Sequence, residues 1–302
     1  MLEAFDPVAE QLMKPDEELK KIAEGFVFTE GPVWSFSEGH LTFVDLAGNA
    51  MFRYYNGKGA VSYREPSNYA NGLAYDRSGR LLSCEHRTRR ITIESDGGLD
   101  VVVDSFRGRK LNAPNDLVVT HDGSVVFTDP HYGLTEGYGG PGEQEQPHRG
   151  VYRLPAGSDE PELLVDDLEG PNGLALTRDE KMLYVADSEH GHLRAFGVGE
   201  EWKLSGGEVL VELPKEGDGV PDGLKLDVEG NIYSTGPGGI WLISPSGAIL
   251  GHLRMPQVAA NLAWGDADAR TLYITASAAV YALRCEVTGH APHRALSGGG
   301  GR

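Results

Sequence analysis

Six times along the chain a polar residue leads into a short apolar strand: Glu30-Gly-Pro-Val-Trp, Asn71-Gly-Leu-Ala-Tyr, Asn115-Asp-Leu-Val-Val, Asn172-Gly-Leu-Ala-Leu, Asp222-Gly-Leu-Lys-Leu and Asn261-Leu-Ala-Trp. The copies are 39 to 57 residues apart, the spacing of one four-stranded propeller blade per repeat. Two further signals recur in the same order. A polar turn leads into an alternating apolar run, as in Asp76-Arg-Ser-Gly79, His121-Asp-Gly123, Arg178-Asp-Glu and Asp227-Val-Glu-Gly230, which is a hairpin signature. A third strand type recurs as Ala50-Met-Phe-Arg-Tyr, Gly150-Val-Tyr-Arg-Leu and Ala279-Val-Tyr-Ala-Leu. A β-sandwich has no reason to repeat three signals in fixed order. The expected fold is therefore all-β, a six-bladed β-propeller with a metal site in its central tunnel.

A chain of 302 residues with no Pro/Ser-rich divide reads as a single propeller domain over residues 25–288. Residues 1–24 are expected to be a partly helical extension. The helix is placed over Pro15-Asp-Glu-Glu-Leu-Lys-Lys-Ile-Ala, where acids precede lysines as the helix dipole favours. Phe26-Val-Phe is expected to pair with the last blade near Val280, which would close the ring and remove exposed edges. Residues 289–302, ending in Ser297-Gly-Gly-Gly-Gly-Arg302, read as a disordered or artificially appended tail.

The net charge is −18, from 27 basic and 45 acidic residues, which repels a nucleic-acid backbone or an anionic membrane surface. No apolar run approaches the ~20 residues of a membrane span, and the N-terminus has no basic stretch before an apolar one. Two cysteines, Cys84 and Cys285, are no disulfide framework. They read as buried, reduced thiols of a cytoplasmic protein.

If each of the six polar residues opens an innermost strand, Glu30, Asn71, Asn115, Asn172, Asp222 and Asn261 form one ring around the tunnel. Two carboxylates in a narrow tunnel repel each other unless a cation lies between them. Carboxylate and carboxamide oxygens are hard ligands, so the ring suits one divalent cation, Ca²⁺ foremost, with Mg²⁺ or Mn²⁺ as substitutes; zinc is disfavoured without His or Cys. Asn71 and Asn261, taken singly, read as residues that merely cap strand starts.

The motifs Glu30-Gly-Pro-Val-Trp, Leu111-Asn-Ala-Pro-Asn115-Asp116, His121-Asp-Gly-Ser-Val-Val-Phe-Thr-Asp129-Pro-His-Tyr-Gly133, Gly170-Pro-Asn172-Gly and Pro221-Asp222-Gly-Leu together resemble the gluconolactonase/SMP-30/luciferin-regenerating family, in its bacterial gluconolactonase branch. The resemblance covers roughly Gly25 to Leu283. It implies a divalent ion in the tunnel, with Glu30, Asn172 and Asp222 matching the family's metal ligands. Asn115 matches a residue that completes the coordination shell or contacts substrate, and Asp222 also matches the catalytic acid/base. Ala113 stands where the animal branch has arginine, so contacts made by that arginine do not carry over.

His86 and His131 are candidates for donating to a hydroxylated substrate or moving a proton at the tunnel mouth. Asp129 and Asp187 read as residues that hold loops. The Gly- and Pro-rich stretch from Gly133 to His148 reads as a lid. The resemblance implies a hydrolase, a metal-dependent lactonase opening a gluconolactone-like sugar lactone to its hydroxy acid. No Gly-x-Ser-x-Gly elbow supplies a serine nucleophile. Two alternatives use the same ring: a phosphotriester hydrolase in which Asp222 attacks phosphorus, and a non-enzymatic interaction propeller with a structural ion.

Overall fold

In the computed structural model, which describes residues 1–294, the blades are six antiparallel sheets, five of four strands and one of five. Their innermost strands, or the residues just before them, carry the six ring positions. Blade 1 comprises residues 29–35, 40–45, 50–55 and 59–64, and blade 2 comprises 70–75, 81–85, 90–95 and 98–103. Blade 3 is built from 117–119, 125–129, 150–154 and 162–165, and blade 4 from 171–176, 182–187, 192–198 and 204–212. Blade 5 contains 224–226, 232–236, 239–243 and 249–254; blade 6 contains 259–265, 271–276 and 279–284. Neighbouring innermost strands touch all the way round, the last against the first. This is the expected six-bladed propeller.

The turns between first and second strands share a cause. Asp76 Oδ1 accepts from Ser78 N and Arg80 N, Asp122 Oδ1 from Ser124 N, Asp179 Oδ1 from Lys181 N, and Asp227 Oδ1 from Glu229 N and Asn231 N. The side chain thus stands in for the backbone and closes the hairpin. Between each pair of blades lies an apolar layer, such as Val126, Val151, Leu174 and Leu183 between blades 3 and 4, or Trp34, Phe43, Tyr273 and Val280 between blades 6 and 1.

The N-terminal expectation is corrected in one respect. The helix lies at Pro7–Leu12, capped by Asp6, whose Oδ1 accepts from Val8 N at 2.9 Å. Proline at its first turn and the burial of Ala9, Leu12 and Met13 against blades 5 and 6 fix it there. The stretch from Pro15 is not helical; Lys20–Glu24 is instead the fourth strand of blade 6, paired with Ala279–Ala282. The exposed edge of Ala279–Arg284 offers a full backbone ladder, which outweighs a dipole-ordered but weakly amphipathic helix. Closure by the N-terminal segment thus occurs, slightly upstream of Phe26, while Leu2–Ala4 adds a fifth strand to blade 5.

At the other terminus, Thr288 to Arg294 do not form a free tail. Gly289 N donates to Ala269 O, His290 N to Leu226 O, and the His293 ring bonds Trp34 O at 2.8 Å. These residues cross the lower end of the tunnel. Residues 295–302, where the rest of the expected tail falls, lie outside the described residues.

At four of the six ring positions the next residue is glycine, and there adjacent blades approach so closely that a side chain has no room. A Cβ on Gly31 would lie 1.9 Å from Asn71 O, one on Gly173 2.2 Å from Asp222 O, and one on Gly223 2.1 Å from Asn261 Oδ1. Gly173 N uses that proximity to donate to Asp222 O at 3.1 Å. Gly173→Ala must push blades 4 and 5 apart. Overpacking of this kind costs about 1–3 kcal/mol, so urea unfolding should show that loss, and calorimetry should show weaker divalent-ion binding because Asp222 is displaced.

Candidate metal centre and active site

The ring residues face the tunnel because the chain breaks its sheet pairing there. In blades 1, 2, 4 and 6 the register between first and second strands shifts across Glu30/Val33, Ala70/Leu73, Pro171/Leu174 and Ala259/Asn261. In blades 3 and 5 the first strand starts only at Leu117 and Leu224, just past Asn115 and Asp222. An interrupted ladder of this kind re-aims a side chain away from the sheet.

Acid latches hold these irregular segments. Asp45 accepts from Val27 N, Phe28 N and Gly48 N, beside Glu30. Asp129 accepts from Asn112 N at 2.7 Å and Ala113 N at 2.8 Å, fixing the approach to Asn115. Asp187 accepts from Glu169 N and Gly170 N, fixing the approach to Asn172. The reading of Asp129 and Asp187 as loop holders fits this geometry; Asp45 plays the same part and was not singled out. His190 and His192 lie near Asp187, with ligand atoms within 4.8 Å of one another. Asp187 nevertheless has both oxygens engaged with backbone N–H groups and His190 Nδ1.

At the upper end the tunnel opens into a cavity of about 370 Å³, whose wall includes Glu30, Asn71, Asn115, Asn172 and Asp222. Two of the amides are oriented unambiguously. His86 Nδ1 lies 2.9 Å from Tyr138 O, which can only accept, so Nδ1 carries the proton and Nε2 accepts from Asn71 Nδ2 at 3.4 Å. Ser188 donates its hydroxyl hydrogen to Pro221 O, so its oxygen accepts from Asn172 Nδ2 at 3.0 Å. Each amide nitrogen is tied to the wall, and Asn71 Oδ1 and Asn172 Oδ1 are left buried without a partner. A buried polar atom without a partner is costly. Asn261 differs: its Oδ1 accepts from Leu262 N at 2.8 Å, and the residue is not part of the cavity wall. Its reading as a strand-start cap suits that geometry, whereas Asn71 offers a free oxygen.

The electrostatics point the same way. Burial, the charge of Glu30 and that of Asp116 push the Asp222 carboxyl well above its usual range. Burial likewise raises Glu30, with Asp116 adding to the effect and the Gly31 N–H opposing it. One ammonium, Lys225, counters them among the described residues, 3.7 Å from Asp116 Oδ2. Two carboxylates that resist ionising together, flanked by partnerless amide oxygens, form a hard-oxygen donor set that a divalent cation fits.

The remaining wall includes Phe28, His86, Tyr132, Thr135, Tyr138, Ser188 and Glu189. His86 lies there as expected, but burial lowers it to about 4, and both ring nitrogens are engaged with Tyr138 and Asn71. It orients Asn71 and ties down the lid through Tyr138. His131 is not on the wall; its neighbour Tyr132 is, with a buried hydroxyl lacking a partner, while the His131 ring lies 4.7 Å from that of Tyr132. The motif Asp129-Pro-His-Tyr carried this signal in the residue after the histidine, whose near-neutral pKa drew the reading to the ring rather than to the phenol. Asp116 and Lys225, each inside a quoted motif, carry charge into the ring from one residue past Asn115 and from the strand after Asp222, where the repeat alone does not mark them. Thr135 and Tyr138 of the Gly133–His148 stretch lie over the cavity, where a lid belongs, with Tyr138 edge-on to Phe28 at 6.0 Å.

Residues 28–278 match the family of the SMP-30/gluconolactonase/LRE-like region. A gluconolactonase of Zymomonas mobilis is 30% identical, the match covering 94% of this chain and 86% of that one. The pentonolactonase XacC of Haloferax volcanii is 29% identical, over 82% of this chain and 80% of that one. Among solved structures, a gluconolactonase from Xanthomonas campestris superposes with a TM-score of 0.88 at 30% identity, covering 94% of each chain. The repeat, the ring and these matches agree: the chain belongs to the SMP-30/gluconolactonase/LRE-like family.

Proposed function

We propose that this protein is a divalent-metal-dependent lactonase that opens a sugar lactone to its hydroxy acid. The observation that carries the reading is the pair of partnerless amide oxygens, Asn71 Oδ1 and Asn172 Oδ1, beside two mutually repelling carboxylates at the base of an open cavity. The sugar-lactone activity named for its relatives supports the substrate class. A cytoplasmic setting suits the two buried, unpaired thiols, Cys84 and Cys285.

Glu30, Asn172 and Asp222 would hold the ion, with Asn115 completing the shell or meeting substrate beside it; Ca²⁺ suits this all-oxygen set best. The ion, when bound, supplies a positive charge that polarises the lactone carbonyl and stabilises the oxyanion. Asp222 takes a proton from the attacking water as its oxygen bonds to the carbonyl carbon. It then returns the proton to the ring oxygen as the carbon–oxygen bond of the ring breaks, leaving a carboxylic acid and a free hydroxyl. Tyr132 and Glu189, on the cavity wall, offer a hydroxyl and a carboxylate to the sugar hydroxyls. His86 is not the proton carrier in this scheme, because its Nδ1 proton is held by Tyr138 O and its Nε2 lone pair by Asn71.

Three outcomes test the scheme. Glu30→Gln removes one of the two ring carboxylates; calorimetric Ca²⁺ titration should show affinity lower by at least tenfold, about 1.4 kcal/mol, and unchanged affinity would mean the ion lies elsewhere. Asp222→Asn keeps an oxygen donor but not a base. General acid–base catalysis is worth ~10²–10⁴-fold, so turnover on gluconolactone should fall by roughly two orders of magnitude or more, without rescue by excess Ca²⁺. Recovery in excess metal would leave Asp222 as a ligand only.

The third concerns His86. Its folded pKa of about 4 lies below the unfolded value of ~6.5, so between these values the unfolded chain binds more protons. Stability from this group is therefore complete above the unfolded pKa and is lost as pH falls toward 4. The full loss is roughly 3 kcal/mol. In chelator, the urea-derived stability of His86→Gln should fall less between pH 7 and 4.5 than that of the wild type; parallel losses would show that His86 titrates normally.

A further inference from the structure

We propose that the lower mouth of the tunnel, at the end opposite the acidic ring, is a second binding site for a phosphate-class dianion. A cavity of about 360 Å³ opens there, and Arg77, His121, Arg178, His290, His293 and Arg294 line it with no carboxylate among them. In a chain of net charge −18, three arginines gathered at one cavity are opposite in sign to the molecule as a whole.

The repeat itself creates the cluster. Arg77, His121 and Arg178 occupy corresponding turn positions after the first strands of blades 2, 3 and 4, so three consecutive blades present a basic residue at one height. The C-terminal segment supplies His290, His293 and Arg294 from across the tunnel. The groups are held in place: Arg77 Nη1 donates to His121 O at 3.0 Å, Arg294 Nη1 and Nη2 donate to Asp268 O and Ala267 O, and the Arg294 guanidinium lies 5.5 Å from the Phe36 ring centre. Arg178 makes no side-chain hydrogen bond among the described residues.

Most arginines of the chain pair with a carboxylate, for example Arg80 with Asp76 and Arg153 with Asp122 and Glu162. Arg77, Arg178 and Arg294 form no ion pair among the described residues. The acids next to Arg77 and Arg178 in sequence have other partners, Asp76 with Arg80 and its own turn and Asp179 with Thr177 Oγ1 and Lys181 N, while Glu180 accepts from His121 N and lies 3.4 Å from its Nδ1. Guanidiniums gathered without carboxylate partners repel, and the neighbouring His290 is lowered to about 4 by burial, then by Arg178, His121 and His293.

The chemistry of the occupant follows from the number of arginines and the separate elements that carry them. Arginines line the cavity from two blades and from the C-terminal segment. A carboxylate has two oxygens and satisfies one such fork well, whereas a tetrahedral dianion offers several oxygens to forks from different sides. The shared chemistry is a phosphate group, free or as the monoester of a small polar molecule. This site is separate from the lactone cavity, since apolar residues of the lower tunnel, including Leu73, Leu117, Ala175 and Leu226, lie between the ring and the C-terminal segment.

Calorimetry and thermal unfolding of the full chain in chelator, at constant ionic strength, with inorganic phosphate, a hexose 6-phosphate or chloride, test the proposal. Phosphate or its ester should bind and raise the melting temperature while chloride does neither; equal affinity for the two identifies free phosphate as sufficient, and tighter binding of the ester identifies the ester. R77Q/R178Q should weaken binding at least tenfold and leave lactone hydrolysis within about twofold of wild type. Should the double variant fold poorly, Arg178→Gln alone, which breaks no hydrogen bond, should still weaken binding severalfold. Absence of binding by both phosphate ligands, or undiminished affinity in a folded variant, overturns it.

Discussion

The closeness of one blade to the next at the ring governs the rest of the molecule. Where Gly31 meets Asn71 O and Gly173 meets Asp222 O, two backbones approach to distances that exclude even a methyl group. This contact sets the tunnel's bore. It also brings side chains from blades far apart in sequence to one height, so that Glu30 and Asp222 repel each other. The polar-residue-glycine pair found in four of the six repeats is therefore one device with two parts: the polar side chain faces inward, and the missing side chain allows the neighbour to do the same.

Close approach alone would leave the ring residues adjustable. The latches Asp45, Asp129 and Asp187 remove that freedom by accepting backbone N–H groups from the segments leading to Glu30, Asn115 and Asn172. Amide orientation is fixed one shell further out, by His86 for Asn71 and by Ser188 for Asn172. A metal centre needs oxygens held ready for the ion. Here the free oxygens result from where the nitrogens are bound, since an amide with a satisfied nitrogen must present its oxygen to the opening.

Six blades and the height of the ring are legible in the sequence because each blade repeats the same local solution, and repetition separates a signal from an accidental turn. What repeats once is harder to read. The Pro7–Leu12 helix had its own cue in Asp6-Pro7, but Lys20–Glu24 became a strand only because a distant edge at Ala279–Arg284 needed a partner. No local pattern states that need. The same holds for the C-terminal segment, whose order through Arg294 depends on contacts with Trp34, Leu226 and Ala269. In the site, residue chemistry led to His131, whereas the geometry selected Tyr132, the adjacent residue that faces the cavity. His86 was found for its titratable ring, yet its use here depends on that ring remaining neutral.

The tunnel ends differ in charge for a reason that lies in the repeat. At the upper end the recurring position is acid or amide, and it gathers two carboxylates and partnerless amide oxygens at one height. At the lower end the recurring position is the second residue of the hairpin turn, where blades 2 to 4 carry Arg77, His121 and Arg178. Radial symmetry converts any residue preference shared by consecutive blades into a charged arc, so one fold can present cation-binding and anion-binding mouths at once. The C-terminal segment across the lower tunnel keeps the two apart. Opposite charges that would otherwise neutralise each other through the tunnel can then each be left for a ligand.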